Sequence, residues 1–241
     1  MGEVAFKRGD GRRSEEHLVA ALELLGRSVP SPSSRYLWRL LRELLARAVR
    51  RAGARLRRRG VVNDERGQLE AQLLTRLAYA WWFNQPTFAA LWLLTHQVNV
   101  AEARAAGAPV AHAQAIYGAA ITAVLPALWR RGVRYTESAR LGHVEVGNRW
   151  GEGQALAMKA AVLHARAMFQ EGLEVARAAR DILEQTGDQW ELAFATWHEA
   201  LCLYRLGRLD EAVEVARTVH RVGVELGAAQ AEAIALEVLA K

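Results

Sequence analysis

The seven histidines, His17, His96, His112, His143, His164, His198 and His220, are the side chains of this sequence best suited to moving protons or holding a metal. Their spacing suits neither. No His-Glu-x-x-His pair occurs and no close cluster of histidine, cysteine and aspartate forms, so no metal centre is expected. Serine, histidine and aspartate are present without a nucleophile elbow or another local signature. No Walker-type phosphate loop is present. Most glutamates fall on helix faces expected to be solvated, which leaves no paired carboxylates to nominate. The single cysteine, Cys202, sits among apolar neighbours and reads as a buried, inert thiol. The sequence therefore nominates no catalytic residue, cofactor or metal ligand, and a non-catalytic protein is expected.

What remains is aromatic and cationic. Trp81, Trp82, Trp92 and Trp129 lie in or beside apolar helical stretches and read as core. Between Arg35 and Arg59 stand ten arginines and one acid, Glu43. That segment carries +9 of a net charge of +6, so the remainder is about −3 and slightly acidic. The basicity is local. Its arginines allow three readings: solvated cover on a helix that packs by its other face, a docking surface for an acidic partner, or contact with nucleic acid or an anionic membrane. Arg39, Arg42, Arg50, Arg51 and Arg55 form the candidate basic surface. Only Tyr36 and Trp38 interleave aromatics there, and no recognition motif accompanies them, which weakens the nucleic-acid reading.

The elements that carry these residues are helical. In residues 1–34, Val4 to Lys7 closes a first helix, Gly9-Asp10-Gly11 turns, and Ser14 is the expected N-cap of a second helix that Gly26 stops. A Pro30/Pro32 linker follows. Residues 35–66 hold a long basic helix, Arg35 to about Arg58, and a linker, Gly60 to Gly67. Leu37, Leu40, Leu41, Leu44, Leu45, Ala48 and Ala52 share one side of that helix, which is the side expected to pack. From residue 67 to 241 the pattern repeats. Glycines recur every 40 residues at Gly67, Gly107, Gly147, Gly187 and Gly227. Ala80, Ala120, Ala160 and Ala200 share one column, and Leu93, Val133, Leu173 and Val213 another. Such periodicity predicts stacked antiparallel helical hairpins, with units starting near 67, 107, 147 and 187 and a half unit from 227. The reference hairpin runs from Trp190 to about Leu206, turns at 207–210, and returns from about Glu211 to Glu225. The column Gly132, Gly172 and Ala212 predicts close backbone approach between helices.

The turn Gly207-Arg208-Leu209-Asp210-Glu211-Ala212, with Ala200 before it and Ala216 after it, resembles the tetratricopeptide repeat. The longer period resembles the repeat arrays in the C-terminal sensor regions of large bacterial signalling ATPases. So do the stretch Leu77 to Phe83 with Ala90-Leu91-Trp92 and the linker Leu24 to Pro30. The chain departs from the pattern at Gly172, where alanine is usual, and at Met168-Phe169-Gln170, where the turn lacks its glycine. The resemblance implies an all-α, right-handed α-solenoid whose first helices line a concave groove. Carried onto this register, its groove positions are Phe194, Trp197, Tyr204 and Arg205, with Gln154, His164, Gln114, Tyr117, Trp81 and Asn84 upstream. His164 and His198 are expected to be partly buried or groove-facing. Aromatics, amides and one arginine suit a peptide or a small amphipathic ligand.

The expected function is a scaffold for protein–protein or ligand-sensing interactions within a multidomain signalling or transcriptional regulator. The alternative is a nucleic-acid-binding repeat module using the 35–59 helix. The uncovered apolar face of residues 228–240, including Ile234, Leu236 and Leu239, suggests a piece of a longer protein, or ends covered by partners or by self-association. The polar N-terminus and the break of the most apolar segment at Asn84-Gln85-Pro86 argue against a signal peptide or a membrane span. A soluble, cytoplasmic protein is expected.

Overall fold

The computed structural model describes residues 1–7, 10–30, 35–54, 65–227 and 229–240. Among them the regular structure is entirely helical: α1 (Gly2–Lys7), α2 (Gly11–Leu24), α3 (Tyr36–Ala54), α4 (Glu65–Asn84), α5 (Thr87–Arg104), α6 (Ala108–Val124), α7 (Trp129–Glu145), α8 (Arg149–Ala165), α9 (Phe169–Leu183), α10 (Gln189–Arg205), α11 (Leu209–Leu226) and α12 (Ala229–Leu239). None is long and apolar enough to cross a membrane. The expected turn residue Gly9, Pro32 of the first linker, and residues 55–64 with Arg55, Arg58 and Gly60 lie outside the described residues. Two compact units divide the chain inside α6. One comprises residues 1–6 and 10–113, and the other contains residues 114–241.

In the first unit α4 packs on α5, α3 on α5, and α2 on α4. An aromatic core joins them. Trp81 and Trp92 stand 6.2 Å apart between ring centroids, and Tyr36 of α3 meets them at 6.1 and 5.4 Å. The Tyr36 hydroxyl donates to the Pro30 carbonyl at 2.6 Å, which ties the linker to this core. Glu70, buried on α4, is clamped by Arg27 and Arg104.

Two local expectations need correction. Asp10 caps α2, accepting from the Arg13 amide at 3.0 Å, whereas Ser14 lies fully buried inside the helix. An aspartate one residue before the helix reaches the open N–H groups that Ser14, a turn further in, cannot. The apolar stripe of α3 does not face the core. Tyr36, Leu40, Glu43 and Arg47 are buried, while Leu37, Leu41, Leu44, Leu45, Ala48 and Ala52 are exposed.

In the second unit the 40-residue register is explicit. Helices begin at residues 129, 169 and 209, and at 149, 189 and 229. Gly107, Gly147, Gly187 and Gly227 all adopt positive φ, between 60° and 75°. Gly147, Gly187 and Gly227 each end a helix with the left-handed residue that glycine accommodates without strain. Gly107, in the first unit, instead stands directly before α6, α5 having ended at its C-cap Ala105 in extended backbone. Gly67 differs, lying in the first turn of α4. At the other turn Gly207 has φ 75°, and its counterpart Ala167 holds φ 64°. The turn that lacks its glycine therefore keeps the same backbone shape.

The small-residue columns do bring helices together. Ala80, Ala120, Ala160 and Ala200 are all buried. A Cβ added to Gly132 would lie 2.9 Å from the Gly118 carbonyl oxygen, and one added to Gly118 would lie 2.9 Å from that of Gly132. Backbone thus meets backbone where α6 and α7 cross. At Gly172 the nearest atom would be the Cys202 Sγ at 3.0 Å, a side chain that can shift. Gly132→Ala should therefore cost about 2 kcal/mol despite the helix propensity gained, whereas Gly172→Ala should stay within about 1 kcal/mol of the wild type. Ala167→Gly should stabilise by about 0.5–1 kcal/mol by relieving a left-handed alanine. Thermal and denaturant unfolding of the three variants measures each shift.

Candidate functional site

The residues assigned to a groove distribute over both units. Trp81 and Asn84 belong to the first. Trp81 is a core residue packed on Tyr36 and Trp92. Asn84 is exposed at the end of α4, and its amide donates back to the Ala80 carbonyl at 2.9 Å. In the second unit Tyr117 is buried edge-on against Tyr135 at 5.3 Å. Gln114 accepts from the Ser138 hydroxyl at 3.2 Å. Gln154 on α8 is fully buried, and neither end of its amide finds a partner.

Phe194, Trp197 and His164 do come together, and the residue that joins them is His198. One helical turn places Phe194, Trp197 and His198 on one face of α10, at spacings of three and four. The His198 ring lies 4.7 Å from Phe194, 4.8 Å from Trp197 and 6.2 Å from His164 of α8. His164 in turn packs on Phe169, the first residue of α9, at 5.6 Å. Neither ring nitrogen of His198 has a hydrogen-bond partner, nor does the Trp197 Nε1. Burial, helped by the neighbouring His164, pushes the pKa of His198 down to about 3. It is a neutral imidazole across the ordinary range. Further along α10, half-buried Tyr204 packs against Leu173, Cys202, Leu203 and Ala212. Exposed Arg205 stands 5.9 Å from the Tyr204 ring centroid. The Cys202 thiol is fully buried, and burial with nearby Glu199 pushes its pKa up to about 12, so no thiolate forms.

Charged pairs stitch successive helices beside this cluster. Lys159 of α8 donates to Glu137 of α7 at 2.9 Å. Forty residues on, Arg177 of α9 donates to the buried Glu199 of α10 at 2.8 Å, and Arg180 adds a second bond at 2.6 Å. The columns are the same and the charges are exchanged. Hydrogen bonds from Arg140, and then from Lys159, hold the Glu137 pKa down to about 2.

An opening that sequence reasoning missed lies elsewhere in the second unit. A cleft of about 260 Å³ runs between α9, α10 and α11. Leu192, Ala193, Val215 and Val219 form its apolar lining, and Arg180 and Glu184 stand at it as charged groups. None of the groove residues lines it. Its signal in the sequence is only the alternate edge of the same amphipathic helices. Among the described residues no group of three histidines, cysteines, aspartates or glutamates is placed to hold a metal.

On the basic helix, Arg39 is half-buried with its guanidinium 5.9 Å from the Trp92 ring centroid. Arg42 and Arg50 are exposed. The Arg51 side chain and all of Arg55 lie outside the described residues. The one acid of the segment, Glu43, faces inward. It meets His96 at 3.1 Å and accepts from the Asn99 amide at 2.8 Å. The hydrogen bond from His96, then that from Asn99, outweighs burial and holds its pKa down to about 2. Arg47, one turn on, bonds Asn99 at 3.0 Å and Glu102 at 3.0 and 2.9 Å.

No family model matches this chain, and no curated protein matches it.

The buried His198 sets a pH dependence. Its folded pKa of about 3 lies below the unfolded value, about 6.5. The unfolded state therefore binds a proton first, and stability falls as pH drops below about 6.5. Between pH ~6.5 and ~5 the carboxylates hardly titrate, so in that window His198→Phe should show a shallower loss of melting temperature than the wild type. Coincident slopes would show that the ring is solvated rather than buried.

Proposed function

We propose that the chain is a non-catalytic helical-repeat scaffold that binds a protein or peptide segment. It would be built as a right-handed, tetratricopeptide-like α-solenoid. The observation that carries this reading is the register of the second unit. Helices start at 129, 169 and 209 and at 149, 189 and 229, so each hairpin repeats the one before it. Repeated hairpins extend a surface sideways and do not gather ionisable groups to one point. The half-buried Trp197 and Tyr204 and the exposed Arg205 on α10 supply aromatic area with one cation, which suits an extended peptide. On the resemblance alone, we further assign the scaffold to the sensor region of a larger signalling regulator.

The alternative, nucleic-acid binding through Arg39, Arg42, Arg50, Arg51 and Arg55, has less support. Arg39 leans on Trp92, and the exposed arc beside Arg42 is apolar. Phosphate contacts would call for cations across that arc.

Selection of a random-peptide display library on the full chain tests the reading. Enriched peptides should bind Tyr204→Ala and Arg205→Ala at least tenfold more weakly than the wild type by calorimetry, and should bind Thr218→Ala, in the α9–α11 cleft, unchanged. The opposite pattern would move the site to that cleft. Failure to enrich any peptide would count against the scaffold.

A further inference from the structure

Among the described residues nothing covers the outward face of α3. Leu37, Trp38, Leu41, Leu44, Leu45 and Val49 are all exposed, Trp38 by 75%, Leu45 by 66% and Val49 by 63%. At about 100° per residue these six span roughly 140° of the helix circumference. The buried line of Tyr36, Leu40, Glu43 and Arg47 lies opposite the arc. The exposed arginines Arg35, Arg42 and Arg50 gather on one flank. No acid shares the outward surface of α3, because Glu43 is turned inward onto His96 and Asn99. In sequence α3 is followed by Arg55, Arg57, Arg58 and Arg59.

We propose that α3 is an interfacial helix that lays this arc on an anionic phospholipid surface. The charge selects that occupant. A second copy packed antiparallel through the arc would set arginine flank against arginine flank, and a parallel one would bring no acid to either flank. A partner helix zipped along α3 would need only a narrow seam of two positions per heptad, and the arc is far wider. A broad Leu/Trp face bordered by arginines and free of acids is what an acyl–headgroup boundary accepts: the leucines and the indole enter the acyl edge, and the guanidinium groups reach lipid phosphates. The helix stays seated on α5 through Glu43 and Arg47 while its other side meets lipid, so binding needs no unfolding of the unit. This is attachment at a surface and involves no span.

Flotation of the full chain with vesicles tests it. The chain should float with phosphatidylcholine vesicles containing phosphatidylserine, should stay behind with pure phosphatidylcholine, and should bind more weakly as salt rises. Leu41→Glu/Leu45→Glu should lower binding to the anionic vesicles at least tenfold, and Arg42→Gln/Arg50→Gln by roughly tenfold. All four positions are exposed, so far-UV circular dichroism and melting temperature should match the wild type. Three results would overturn the proposal: no flotation with anionic vesicles, flotation untouched by the leucine changes, or an oligomer that Leu41→Glu/Leu45→Glu converts to monomers in sedimentation, which would make α3 a self-association face.

Discussion

Close backbone approach is the constraint on which the helical packing depends. Among the described residues helices pack only on helices, and each must bury its own stripe against neighbours about 8–10 Å away. At the lower end of that range only hydrogen or a methyl group fits between the axes. Gly118 and Gly132 meet that condition at the α6–α7 crossing, where each would place a Cβ 2.9 Å from the other's carbonyl oxygen. Ala160 and Ala200, in the first helices further along, keep their column small and have no exposed surface. Larger residues beside these columns, such as Leu163, Leu173 and Leu203, then fill the grooves. Inside a helix an inserted residue would move the small side chain out of its crossing, so the spacing is held within each helix.

Neighbouring columns carry charged pairs whose signs are exchanged between copies. Glu137 faces Lys159 between α7 and α8, and Arg177 faces Glu199 between α9 and α10. Geometry is kept and sign is reversed. Glu137 and Glu199 stand at the acidic ends of the two pairs, and Lys159 and Arg177 at the basic ends. Repeats of one shape have little else to distinguish their order, and burying like charges together is costly. Glu199 is the more deeply buried of the two acids. It has almost no exposed surface and two arginines, Arg177 and Arg180. In the earlier copy Glu137 stands in the place of Arg177 while Arg140 keeps that of Arg180, so one of the two cations is exchanged and the other retained.

Much of this was legible in the sequence, since it is written locally. Helix limits follow from apolar period and from glycine, and the positive-φ residues at 107, 147, 187 and 227 fall on the marks that the period gives. What was not legible depends on partners far along the chain. Gln154 and Phe194 share a column, yet one is a buried amide without a partner and the other a ring against His198. Column identity gives a position, not its surroundings. His164 and His198 are expected from sequence to be partly buried or groove-facing, and only the packing of α8 on α10 shows that His198 is buried and that the two rings stand 6.2 Å apart. Ser14 and Asp10 both suit an N-cap by type, and only the start of α2 at Gly11 separates them.

The basic helix shows the limit most clearly. Amphipathic period establishes that α3 has an apolar arc and leaves open which side the protein uses. Burying its leucines would yield about 1.5–3 kcal/mol each, and on that count alone the arc belongs inside. The side that is buried instead carries Tyr36, seated on Trp81 and Trp92, together with Glu43 and Arg47. Those two charges reach His96, Asn99 and Glu102, all on α5 and 52 to 56 residues away. Turning the helix half-way round would break every one of these bonds and leave Glu102 and Asn99 without the guanidinium they hold. The aromatic contacts and the polar network together fix the rotation, and the leucines are left outside as a consequence. A helix seated by an aromatic ring and two paired charges, with its apolar arc turned away from them, is the geometry of a middle layer between protein and a second apolar phase.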